Sequence, residues 1–225
     1  MDHLAERGFA CPTPIHDRTG SALGTLAGRP AAIVSFLNGV WPRRIAPFHT
    51  LALGEAMAQM HLAGGSFKST RANDLGPGQW RELFNQIGAQ AEEIAPGLND
   101  LIASELDTLE DTWPANLPTG VIHADLFPDN VFFIGKTFSG VIDYYFACSD
   151  VYAYELAICL NAWCFEPDNS FNITKARGMF AGYQKLRKLN GDELAALTLL
   201  ARGAAMRFLL TRLYDWFNHP QGAQV

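Results

Sequence analysis

Apolar residues return at every third or fourth position through Leu51 to Ala63, where Leu53, Ala56, Met57 and Met60 share one stripe. That period belongs to a helix with one face in a core. Pro47 and Thr50 suit its start and Gly64-Gly65 its end. The same period predicts helices over 79–95, weakened by Gly88 and broken by Pro96-Gly97, and over 98–111, carrying Leu98, Leu101, Ile102, Leu106 and Leu109. Further helices are expected over 151–163, 172–189 and 192–217. In the last, Leu194, Leu197, Ala201, Ala204 and Phe208 form a seam that Arg202, Arg207 and Arg212 interrupt, and one of these arginines is a candidate to face a cleft. Met1 to Gly8 reads as a short helix with a glycine cap. Elsewhere the pattern shortens. The prolines of F-A-C-P-T-P-I force an extended path. Residues 21–26 and 29–37 then read as two strands around an Ala27-Gly28 turn.

Three still shorter apolar runs, Val121-Ile122, Val131 to Phe133 and Val141-Ile142, frame a polar loop. The stretch reads V-I-H-A-D-L-F-P-D-N-V-F-F from Val121, with G-V-I-D-Y from Gly140. H-x-D-x-x-x-x-N followed by an Asp on the next strand is the catalytic spacing of kinases. The chemistry explains the residue types. Mg²⁺ prefers hard oxygen ligands, and an Asn amide with one carboxylate supplies them without over-neutralising the ion. A second carboxylate must orient the acceptor hydroxyl and take its proton. Asp125 is the expected base, and Asn130 and Asp143 the expected metal ligands. A plain surface turn between hairpin strands would show neither this spacing nor the second Asp. His123 is expected to brace the loop backbone from a buried position rather than shuttle protons. Asp150 stands where it would cap the helix that follows. Glu155, on an otherwise apolar helix, needs a partner, with His123 or an arginine the candidates.

Composition narrows the partners. Seventeen basic against 23 acidic residues give a net charge of −6, which argues against nucleic acid or an anionic membrane. No run of about eighteen apolar residues occurs, so no membrane span is expected. Cys11, Cys148, Cys159 and Cys164 form no C-x-x-C pair, and a reducing cytoplasm is the natural compartment. The oligomeric state leaves no mark in the sequence.

H-A-D-L-F-P-D-N with V-I-D-Y resembles the phosphotransferase family of aminoglycoside and choline kinases, which phosphorylate small molecules on a protein-kinase fold. F-L-N-G-V-W-P-R-R (Phe36 to Arg44), L-G-E-A-M-A-Q-M-H-L-A (Leu53 to Ala63), R-A-N-D-L (Arg71 to Leu75) and Y-E-L-A-I-C-L-N-A-W (Tyr154 to Trp163) are similar to the kinase-like homoserine kinases within it. The resemblance implies an α+β, protein-kinase-like two-lobe fold. Residues 1–37 would be the remnant of a truncated N-terminal lobe with its hinge strand, and 38–225 a mostly helical catalytic lobe. It implies ATP and Mg²⁺, with the Ser35 carbonyl and the Leu37 N–H reading adenine and Asp150 bracing the catalytic loop. The implied acceptor is L-homoserine, on the route to threonine. Its carboxylate would need an arginine, for which Arg43, Arg44 and Arg71 are available, though the first two could equally be a solvated face. An aminoglycoside would need an acidic wall. Choline would need an aromatic cage, for which Trp41, Tyr144, Tyr145 and Trp163 are available. The chain departs from the family in having no G-x-G-x-x-G and no lysine before Lys68. By the family's order these belong ahead of residue 1, so a longer natural product is expected, and a catalytically impaired nucleotide-binding fragment stays open as an alternative.

Overall fold

A computed structural model describes residues 1–218; the last seven residues of the expected 38–225 lobe lie outside the described ones. Its helices are α1 (Asp2–Ala5), α2 (Pro47–Gly64), α3 (Pro77–Ile87), α4 (Leu98–Thr112), α5 (Tyr152–Trp163), α6 (Ile173–Leu186) and α7 (Gly191–Asn218). The strands are β1 (Gly24–Leu26), β2 (Arg29–Ala31), β3 (Thr119–Ile122), β4 (Val131–Ile134), β5 (Thr137–Val141) and β6 (Cys148–Val151). They form three separate antiparallel pairs, β1–β2, β3–β6 and β4–β5.

The core is organised around α5. Ala153 to Leu160 are buried without a break, as in a helix that is apolar all round. Leu156, Cys159, Leu160 and Trp163 join one cluster with α2, α6 and the β4–β5 hairpin. Tyr154, Ala157 and Ile158 join another with α3, α4 and α7. Helices α2 and α6 lie so close that a Cβ on Gly54 would strike the Met179 carbonyl and one on Gly182 the Leu51 carbonyl. Asn172 caps α6, its side-chain oxygen accepting from the N–H groups of Thr174 and Lys175 at 3.0 Å each. Helix α7 has the length and mean hydropathy (1.4 over its most apolar window) that crossing a membrane would need. Its apolar side is largely spent here on the core, through Leu200, Ala204, Leu210 and Leu213.

Several expectations shift in detail. The strand expected over 29–37 stops at Ala31, because residues 33–35 turn to the segment before the hairpin: Ile15 N–H donates to the Ile33 carbonyl and Ser35 N–H to the Thr13 carbonyl, each at 2.8 Å. Leu26, Ile33 and Phe36 are consequently exposed. The helix expected over 79–95 ends at Ile87, where Gly88 takes φ +58° and starts a six-residue 3₁₀ turn (Gly88–Glu93). Leu101 and Leu194, expected in core stripes, are exposed. Asp150 is not the cap of α5; it lies on β6, and Val151 precedes the helix without a side-chain cap.

Candidate active site

The β3–β6 pair holds the site by its base. Ile122 pairs with Cys148, so the whole segment between them, polar loop and β4–β5 hairpin included, leaves from one closed point. The loop contains a strained residue, Ala124 at φ +64°, and the hairpin ends in another, Asp143 at φ +65°. A residue with a side chain pays of order 1–3 kcal/mol for such a conformation and keeps it only when its surroundings over-determine it. They do so here. The Glu155 carboxylate on α5 accepts from Ala124 N–H at 2.6 Å, and Arg207 on α7 donates to the Ala124 carbonyl at 2.6 Å. Trp163 Nε1–H donates to the Leu126 carbonyl at 2.6 Å. Both peptide groups of Ala124 are thus gripped by buried charged side chains from two helices.

Glu155 itself is fully buried and pairs with His61 of α2 at 2.8 Å, whose other ring nitrogen meets the Tyr183 hydroxyl at 2.8 Å. Burial alone would push the Glu155 carboxyl up. The bond to His61, the two neighbouring imidazoles and the Ala124 N–H outweigh it and hold the carboxyl below the usual carboxylate range. The partner of Glu155 is therefore His61, not His123 or an arginine.

His123 is buried, and its Nε2–H donates to the Ile142 carbonyl at 2.9 Å, next to Asp143. Burial holds its pKa below the ordinary value, against the pull of Glu155 and of the Ile142 bond. That agrees with a buried Nδ1 that has no partner among the described residues. Ile142 N–H in turn donates to the Asn130 carbonyl at 3.0 Å. These two bonds stitch the strand end carrying Asp143 to both ends of the loop.

The Asn130 carboxamide nitrogen donates to the Asp125 carbonyl at 2.8 Å and to the Asp125 carboxylate at 3.1 Å. This fixes the amide's orientation and leaves its oxygen as the outward acceptor. Burial lifts the Asp125 carboxyl above its ordinary pKa; Arg207 and His123 pull it down, and Asp143 and Asp129 push it up. A half-buried carboxylate made more basic in this way is suited to taking a proton. Asp143 is exposed, and its carboxylate has no hydrogen-bond partner among the described residues. Asn130 and Asp143, on elements joined by the Ile142–Asn130 bond, thus offer two hard oxygens. Such a sparse set fits Mg²⁺, which keeps water and phosphate oxygens in its remaining positions.

A cavity of about 520 Å³ opens beside Asp125. Arg207, Phe208, Thr211, Arg212, Tyr214 and Asp215 form one wall of it, and Leu75, Leu83, Gln86 and Phe146 face them. None of the three arginines expected to bind an acceptor is among these residues. Arg43 packs over the Trp41 ring at 5.9 Å and Arg44 is exposed. Arg71 is committed to the Tyr145 carbonyl and, at 2.9 Å, to Asp74. Two arginines of the α7 seam, Arg207 and Arg212, line the cavity instead, while Arg202 is held by Glu105. The signal was a set of cations on an apolar stripe, which periodicity marks as odd without saying which way each faces. Asp150 accepts from the Asn73 amide at 2.6 Å and makes no hydrogen bond to residues 123–130 among those described. The aromatic residues named for a cage are dispersed: Trp163 is buried under Leu126, Tyr144 stacks on His123, and Tyr145 is exposed.

Ser35 and Leu37 run alongside the other flank of the site. Val40 exchanges both backbone hydrogen bonds with Phe133 of β4 at 2.9 Å. Ser139 Oγ–H donates to the Asn38 carbonyl, and the Leu37 side chain covers Gly140 so closely that a Cβ there would sit 2.9 Å from it. The segment therefore lies against the hairpin that presents Asn130 and Asp143.

Comparison with known proteins agrees with this architecture. The family model described as the phosphotransferase enzyme family (APH) matches residues 1–189. The chain is 60% identical over 225 residues to a homoserine kinase of Afipia carboxidovorans, all of this chain aligning with 69% of that protein. It is 62% identical over 231 residues to a homoserine kinase of Paramagnetospirillum magneticum, covering 71% of it. Among solved structures, the amicoumacin kinase hAmiN in complex with AMP-PNP, Ca²⁺ and Ami superposes with a TM-score of 0.76 at 13% identity, over 99% of this chain and 70% of that one. An aminoglycoside-3′-phosphotransferase of type VIII superposes at 0.62 with 22% identity, over 88% of this chain and 76% of that one. At such identities the structures establish the fold alone, α+β and kinase-like.

Proposed function

Because the chain belongs to the phosphotransferase enzyme family and, within it, to the homoserine kinases, we propose that it transfers the γ-phosphoryl of ATP to the hydroxyl of L-homoserine, giving O-phospho-L-homoserine on the route to threonine. It is an ATP- and divalent-metal-dependent kinase of small-molecule hydroxyls. In the finer assignment, Asp125 orients the acceptor hydroxyl and receives its proton as the oxygen bonds to phosphorus and the bond to the ADP oxygen breaks. Asn130 and Asp143 would hold Mg²⁺, which when bound offsets charge on the transferred group. The backbone of Ser35 and Leu37 would receive the adenine, and residues 1–37 and 38–225 would be the two lobes. A cytoplasmic location fits this metabolic role.

The observation that carries the acceptor side is the charge of the cavity wall. Asp125 and Asp215 are balanced there by Arg207 and Arg212. A polycationic aminoglycoside would meet no net negative charge. The faces of Phe146 and Phe208 already carry the Arg207 guanidinium at 5.7 and 4.6 Å, so a quaternary ammonium would have to displace it. A zwitterion of small size suits the balance. The test is ADP release with Mg-ATP and L-homoserine, choline or kanamycin. Turnover is expected with L-homoserine and should vanish in Asp125→Ala. Turnover with another acceptor only, or undiminished turnover in the variant, would refute the reading.

A further inference from the structure

We propose that Arg212 and Asp215 form the clamp that recognises the acceptor as an α-amino acid, Arg212 taking the α-carboxylate and Asp215 the α-ammonium while the side-chain hydroxyl reaches Asp125. The inference rests on the acceptor reading given above and assigns the groups that would execute it.

Three observations converge on the pair. Both residues line the cavity that contains Asp125. Both are exposed charges, and neither enters an ion pair among the described residues, with the other or with a third group. Other arginines of the lobe are by contrast ion-paired: Arg81 holds Asp107 and Glu110, Arg202 holds Glu105, and Arg71 holds Asp74. A guanidinium and a carboxylate left open at i and i+3 on one helix face stand roughly 5–6 Å apart at Cβ. That spacing suits two opposite charges on a single α-carbon.

The distance to the chemistry also fits. Arg207, five positions before Arg212, holds the peptide group next to Asp125. At about 1.5 Å of rise per residue, α7 climbs roughly 7–8 Å from Arg207 to Arg212. An extended γ-hydroxy amino acid spans on the order of 5 Å from hydroxyl oxygen to carboxylate carbon, four covalent bonds, so the remaining gap is the reach of the side chains. Arg207 cannot serve as the carboxylate binder without releasing the loop, because it is buried and its Nη1–H donates to the Ala124 carbonyl. A shorter β-hydroxy amino acid held by the same clamp would place its oxygen one bond short of Asp125, which gives the site a length criterion as well as a charge criterion.

The test crosses variants with truncated ligands. Binding is measured by titration calorimetry on the whole chain with L-homoserine, with 4-hydroxybutyrate, which lacks the ammonium, and with 3-aminopropan-1-ol, which lacks the carboxylate. The variants are Arg212→Gln, Asp215→Asn and, as a control outside the cavity, Arg43→Gln. Arg212→Gln should weaken L-homoserine about tenfold to a hundredfold, the loss of a charge-assisted contact, yet leave 3-aminopropan-1-ol unchanged. Asp215→Asn should do the same with 4-hydroxybutyrate as the insensitive ligand. Arg43→Gln should change nothing. Thermal melting of each variant should match the parent, since both positions are exposed. L-homoserine bound with parental affinity by both cavity variants would overturn the clamp and leave the acceptor reading standing. Failure of the parent chain to bind L-homoserine would overturn both. A loss in Arg43→Gln in place of Arg212→Gln would move the carboxylate site to the other arginine and refute the assignment.

Discussion

Glu155→Gln isolates the charge that holds the catalytic loop. The substitution is nearly isosteric. The glutamine oxygen can still accept from Ala124 N–H, and its amide can still face His61, so the two bonds at 2.6 and 2.8 Å persist in neutral form. Hydrogen bonds to a charged group contribute about 1.5–3 kcal/mol and neutral ones about 0.5–1.5, so each contact loses about 1–1.5 kcal/mol and the pair about 2–3 kcal/mol. The loss has a pH signature. The folded-state pKa of Glu155 lies below its ordinary value near 4.5. A depressed carboxylate contributes stability that is fully present above the unfolded pKa and disappears as pH falls through the folded one. The gap between parent and variant should therefore be constant through neutral pH and close progressively below about pH 4.5. Equilibrium urea unfolding at several pH values measures it. A gap under about 1 kcal/mol at neutral pH, or one that does not narrow in acid, would refute a buried, charge-assisted anchor. In the transferase assay, kcat should fall about tenfold to a hundredfold while the KM for acceptor changes little, because the loosened element is the peptide that aims Asp125. Proportionate loss of folding and activity, removed by adding a stabilising osmolyte, would reduce the role to stability alone.

Two other outcomes follow from the same structure. Asp143→Asn should raise the Mg²⁺ concentration for half-maximal rate about tenfold or more, and a magnesium titration that superposes on the parent's would remove Asp143 from the metal site. Gly54→Ala should cost about 1–3 kcal/mol of unfolding free energy, because its Cβ would strike the Met179 carbonyl and force α2 from α6; an unchanged urea midpoint would mean the two backbones do not approach as closely as described.

The sequence made the chemistry legible and left the architecture around it partly hidden, for one physical reason. His123, Asp125, Asn130 and Asp143 fall within one short stretch in the spacing that kinase chemistry calls for, so the pattern can be read without knowing the fold. Helix positions were legible too, since apolar stripes on α2, α4 and α7 repeat with the helical period. The cavity beside Asp125 was not. Arg207, Arg212 and Asp215 come to line it with Asp125 only because α7 packs against α5 and α3, and that pairing has no local signature. Arg71 looked available and is occupied by Asp74, three residues on, and by the Tyr145 carbonyl, which comes from a loop far away in the chain. The strand that ran short did so because residues 33–35 found partners upstream, a choice between two extended neighbours that an apolar run cannot reveal.

Among the described residues every sheet has two strands, so the loop depends on buried charged side chains for its rigidity. A loop seated on a broad sheet takes its rigidity from neighbouring strands. Here β3–β6 has four residue pairs and β4–β5 is a separate hairpin, so two strained residues would relax if the strands alone held them. Helix α5 supplies Glu155 and Trp163 from one side, and α7 supplies Arg207 from the other. Each is a costly group to bury, and each bonds a backbone atom of the loop, while the buried Arg207 Nε has no partner among the described residues. Helix packing is thereby converted into loop geometry: a shift of α7 on α5 must pull Ala124 by its carbonyl and, through it, reorient Asp125. The wall of the cavity is part of that same helix. Arg207 both lines that cavity and holds the peptide next to Asp125, so one side chain ties the cavity wall to the loop.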